Sequence, residues 1–64
     1  MPYVNIRVAG TLSKEQKAKI CRGVTDVIAE TANKPKDSIL IFIDELPFES
    51  IARGGELLAK PAGK

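Results

Sequence analysis

Residues Ser38 to Glu45 alternate as a β-strand would, yet Ile39, Ile41 and Ile43 fall on one face and Leu40 and Phe42 on the other, so both faces are apolar. This constrains the fold most, because a chain of 64 residues has little else with which to cover two apolar faces. A first strand is legible at Pro2 to Val8, with Val4, Ile6 and Val8 opposite Tyr3, Asn5 and Arg7. Between the two strands, Ser13 and Gln16 have the spacing of a capping box, and Glu15 suits the positive end of a helix dipole. Ile20, Val24, Val27, Ile28 and Thr31 then recur on one helical face, with Cys21 and Ala32 at its margins, predicting a helix from about Lys14 to Ala32. Asn33 suits the stop, and Lys34-Pro35-Lys36-Asp37 reads as a turn.

Strand, helix, strand in this order predicts an α/β fold, a single β-α-β unit with parallel strands and a right-handed crossover. One helix covers one face of such a sheet, so the other face calls for a second subunit. Covalent and metal staples, which stabilise many small domains, are ruled out by the residue counts. Cys21 is the only cysteine and there is no histidine, which excludes an internal disulfide and a zinc site of ordinary ligand type. Cys21 also lacks the histidine partner of a thiol nucleophile and reads as a packing residue. Beyond Leu46-Pro47, Arg53-Gly54-Gly55 predicts a tight hairpin between short extended pieces that docks on a neighbouring chain. The Lys60 to Lys64 tail, with Pro61 and Gly63, is expected to fray. Residues 1–64 form one expected domain without internal repeats.

The net charge of +2, with acidic residues interspersed among the basic ones, argues against a nucleic-acid partner. The tightest basic cluster, Lys14, Lys17, Lys19 and Arg22, sits on an amphipathic helix without Trp or Phe and reads as a solvated face. The longest apolar run, Ile39 to Ile43, is far too short to span a membrane, so a cytoplasmic chain without membrane association is expected.

Met1-Pro2 carries the chemical suggestion. Proline at the second position permits removal of the initiator methionine, which leaves Pro2 as a secondary amine at the start of the first strand. An exposed α-amino group titrates near 8, roughly, and an apolar site or nearby cations lower that value toward neutrality. With Met1 attached the same nitrogen is an amide and has no basicity. Many chains also begin Met-Pro without consequence, and the layout as a whole gives the pair its weight.

That layout resembles the 4-oxalocrotonate tautomerase family of very short subunits. The matching pieces are Met1-Pro2-Tyr3-Val4 opening a strand, Ser13-Lys14-Glu15-Gln16-Lys17 opening the helix, Ile39 to Glu45 as the second strand, and Gly54-Gly55-Glu56-Leu57 in the hairpin. The resemblance implies subunits that pair into a four-stranded sheet, with three dimers forming a homohexamer around an apolar interior. It also implies an isomerase in which the amino-terminal proline is general base and then acid for enol/keto tautomerisation of a small 2-oxo or 2-hydroxydienoic acid, without metal or organic cofactor.

Carried over by position, Pro2 matches the catalytic amine and Ser38 a polar pocket residue. Leu12 and Leu40 stand where the family's best-studied enzymes have substrate-binding arginines, and Ile51 stands where they have a phenylalanine. Two missing charge-assisted contacts, each worth about 1.5 to 3 kcal/mol, weaken recognition of a dicarboxylate. Arg53 is the best replacement cation, ahead of Arg7 and Arg22, although a solvated turn residue is an equal reading of it. For Ser38 a strand-start or turn hydrogen bond is favoured over substrate contact, and for Tyr3 and Phe42 core or interface packing is favoured over chemistry. Two other functions stay open. One is a non-catalytic or partner-dependent subunit of an oligomer mixed with a paralogue that supplies the arginines. The other is related proline chemistry such as hydration, dehalogenation or decarboxylation.

Overall fold

The computed structural model describes residues 1–59, so the tail expected to fray lies outside the described residues. Strand β1 (Tyr3–Ala9) and strand β2 (Leu40–Leu46) pair in parallel, in register from Tyr3 with Leu40 to Ala9 with Leu46. Helix α1 (Lys14–Ala32) makes the crossover. A second pair, β3 (Ala52–Arg53) and β4 (Glu56–Leu57), is antiparallel. Gly54 and Gly55 join its strands with φ of 60° and 88°, the positive angles that such a two-residue turn demands.

The helix begins and ends as its local chemistry dictates. The Ser13 hydroxyl accepts the Gln16 amide N–H, and the Gln16 side chain accepts the Ser13 N–H, closing the capping box. At the other end Asn33 takes the left-handed conformation, φ 54°, and the N–H groups of Asn33 and Lys34 both reach the Ala29 carbonyl. The covered stripe differs from the expected one. Val27 is 63% exposed and Thr31 is exposed, whereas Cys21, Thr25 and Ala29 are half-buried beside Ile20, Val24 and Ile28. The helix is rolled so that the Cys21 edge faces the sheet and Val27 lies on the flank.

Strand β2 starts two residues later than the alternation suggests. Lys36–Ser38 form a 3-10 turn after Pro35, with the Ser38 N–H on the Pro35 carbonyl, and this turn withdraws Ser38 from the sheet. Ile39 is the one buried residue among those described, at 8% exposure. The opposite sheet face stays open, with Tyr3 69% and Phe42 51% exposed and their rings meeting edge to face at 6.3 Å. Asn5, Arg7 and Asp44 continue that face, where the Asn5 amide and the Arg7 guanidinium both approach the Asp44 carboxylate. The radius of gyration is 14.8 Å, against about 11 Å for a compact domain of this length. No helix among the described residues is long and apolar enough to cross a membrane.

Candidate active site

The parallel register places Pro2 at the amino-terminal edge of the sheet, one residue before β1. Its carbonyl accepts the Leu40 N–H at 3.0 Å, which fixes the start of β1 against the start of β2. Pro2 itself is half-buried. Leu40 is therefore a near neighbour of Pro2, whereas Ser38 precedes the paired register, which begins at Leu40. The Ser38 hydroxyl, however, donates to the Pro35 carbonyl at 2.7 Å, so in this geometry it closes the turn.

Leu12, Ile51 and Arg53 lie elsewhere. Leu12 follows the carboxyl-terminal end of β1, and its N–H donates to Glu45 Oε2 at 2.7 Å. Glu45 is five residues beyond Leu40 on β2, which sets the two ends about 17 Å apart along the strand. Ile51 follows the 3-10 turn Phe48–Ser50 at this far end, half-buried, with its carbonyl accepting the Leu58 N–H at 2.8 Å. Arg53 is exposed in the hairpin, in register with Glu56, and makes no ion pair among the described residues. One chain thus joins Pro2 to Leu40 at one end of the sheet, holds Leu12 at the other, and carries Ile51 and Arg53 in the segment that follows that second end.

The far end holds a carboxylate shared between two elements. Besides Leu12 N–H, the Glu45 carboxylate accepts Lys17 Nζ through Oε1 at 2.8 Å. The Lys17 ammonium, and after it the Leu12 amide, hold the Glu45 carboxyl below the usual glutamate range against a smaller opposing effect of burial. Leu12 also lines a shallow groove with Gln16, Lys19 and Ile20. Neither Glu45 nor this groove stands out in the sequence. A glutamate closing an apolar run has no visible partner until the register and the helix docking place Lys17 beside it. Among the described residues no cluster of His, Cys, Asp or Glu has the makings of a metal site.

Residues 2–60 match the model of the family described as Tautomerase enzyme. The chain is 38% identical over 60 residues to a probable tautomerase of Streptococcus agalactiae, covering 94% of this chain and all of the relative. It superposes on the crystal structure of DmpI from Helicobacter pylori with a TM-score of 0.79 and 34% identity over 88% of each chain. It superposes equally well on a heterohexamer 4-oxalocrotonate tautomerase from Chloroflexus aurantiacus, with a TM-score of 0.82 and 27% identity over 94% of this chain and 97% of that one. Fold, chain length and sequence agree in one assignment: the chain belongs to the tautomerase family and is a 4-oxalocrotonate tautomerase-like enzyme.

Proposed function

We propose that this enzyme tautomerises a small enol or 2-oxo acid with Pro2, freed of Met1, as the proton carrier. The secondary amine takes the enol proton as the oxygen–carbon double bond forms, and the resulting ammonium returns a proton to the far carbon of the unsaturated system. The observation that carries the reading is the position of Pro2, half-buried at the sheet edge and anchored through its carbonyl to the N–H of Leu40. An apolar neighbour disfavours the ammonium form and helps to keep the amine neutral at working pH. No metal or organic cofactor enters this scheme.

The split of the candidate residues between the two sheet ends supports a site completed by other copies of the chain. In the proposed assembly, a homohexamer built as a trimer of dimers, the Leu12, Ile51 and Arg53 end of one subunit meets the Pro2 end of another. Arg53, free of carboxylate partners among the described residues, supplies the cation that Leu12 and Leu40 do not. The substrate then carries fewer carboxylates than a dicarboxylate dienol. The whole chain acts as one domain, in the cytoplasm, with no nucleic-acid or membrane partner.

A second reading is favoured by the apolar character of both Leu12 and Leu40. Here the chain is one subunit of a mixed oligomer whose paralogue supplies the arginines, an arrangement for which the heterohexamer from Chloroflexus aurantiacus is a precedent in form. An ultraviolet assay of the processed protein over a panel of dienols and arylpyruvate enols separates the readings. The first expects turnover by the isolated chain and its loss in Pro2→Ala. Turnover that appears only on adding a paralogue supports the second, and activity unchanged in Pro2→Ala would remove Pro2 from the mechanism.

A further inference from the structure

The turn between β1 and α1 is tied down from several directions. The Gly10 N–H donates to the Leu46 carbonyl at 2.7 Å, closing the end of the parallel ladder. Two residues later, one carboxylate serves two elements, with Glu45 Oε2 on the backbone of Leu12 and Oε1 on Lys17 in the helix. The Glu45 side chain is 26% exposed, so it is partly covered where these bonds form. Leu12 and Gln16 then form part of one groove wall, and Gln16 is itself fixed through its side-chain oxygen on the Ser13 N–H. The backbone of Leu12 has Glu45 as its side-chain acceptor, so the groove's shape depends on a residue that does not line it.

We infer that Glu45 is a positioning residue of this enzyme, whose carboxylate clamps the turn carrying Leu12 and so sets the shape of the groove that receives the substrate. The inference rests on the reading of Leu12 as a pocket residue. Glu45 touches no reacting atom, so the clamp acts on substrate binding and leaves the proton transfer at Pro2 alone. The groups facing Glu45 are the Lys17 ammonium from α1, the Leu12 amide from the turn and the uncharged Val8, its register partner on β1. Arg7 is paired with Asp44 instead. The clamp is therefore closed at neutral pH and opens only in acid.

Steady-state kinetics of Glu45→Ala and Glu45→Gln, with the amide proton shift of Leu12 followed by NMR against pH, test the inference. Glu45→Ala should raise KM about tenfold with kcat held within about twofold, the pattern of a lost contribution to binding common to substrate and transition state. Glu45→Gln keeps an oxygen for the Leu12 N–H and should fall between wild type and Glu45→Ala. In the wild type the Leu12 amide should titrate with an inflection below the usual glutamate range, and Glu45→Gln should abolish it. A folded, assembled Glu45→Ala with unchanged KM overturns the inference, as does a Leu12 amide indifferent to Glu45. Pro2→Ala should lose kcat without disturbing the Leu12 titration, which separates failure of the clamp from failure of the proposed chemistry.

Discussion

Pro2 and Glu45 pose opposite problems for a single residue. In the proposed mechanism Pro2 must be neutral to accept a proton, and its environment has to keep a cation from forming. Glu45 must be charged to hold both partners, and its environment keeps the anion. Replacing Pro2 with alanine retains a terminal amine but changes its basicity and shape, and kcat is expected to fall by about two to four powers of ten, the range of a positioned acid–base group. The same ultraviolet assay measures it. For Glu45 the sign follows from its lowered folded-state pKa. Such a carboxylate contributes stability that is complete above its unfolded value, near 4.3, roughly, and is lost as pH falls through the lower folded value. Urea midpoints of wild type and Glu45→Gln should therefore differ at pH 7 and converge in acid. A constant difference down to the acid limit would mean that the ion pair adds nothing.

At the scale of elements, the parts written in local chemistry were legible. Ser13 and Gln16 announced the helix start, Asn33 its end, and the alternation of Ile39, Ile41 and Ile43 against Leu40 and Phe42 announced a strand with two apolar faces. Ser13→Ala should accordingly cost about 1 kcal/mol in equilibrium unfolding, the ordinary value of a lost cap. What depended on docking was not legible. The roll of the helix that exposes Val27 and covers Cys21 is set by the sheet it meets, and the Glu45 clamp by three elements at once. Gly10 is a further example. Its φ of +100° is poorly tolerated by a side chain, and a Cβ there would stand 3.3 Å from the ring of Phe48. Gly10→Ala should cost about 1 to 3 kcal/mol by forcing a strained backbone and moving Phe48. Because Phe48 opens the 3-10 turn that Ile51 follows, that variant should also perturb the far end of the candidate site. Denaturant unfolding gives the first effect, and KM the second.

For the whole molecule, the question is what a chain with one buried residue among those described lacks. Its apolar side chains are numerous, at 44% of the sequence, but Tyr3, Leu40 and Phe42 lie on an open sheet face and Leu57 on an exposed hairpin. Burial of apolar area contributes about 25 cal/mol per Å², so a second layer over that face would add stability that the isolated β-α-β unit does not have. The proposed function would have the same requirement, since the Pro2 end and the Leu12 end of one chain are separated by most of the length of the sheet. Phe42→Lys puts a charge in the middle of the open face, beside Tyr3 and away from Ile39, where the backbone of the parallel ladder need not change. The expected result is dissociation to smaller species by sedimentation equilibrium, together with lower thermal stability and loss of turnover. Retention of a hexamer with full activity would show that the sheet face is not the contact that completes the site. Dissociation with activity retained would instead show that one chain carries a sufficient site at its Pro2 end, and would return Leu12, Ile51 and Arg53 to purely structural roles.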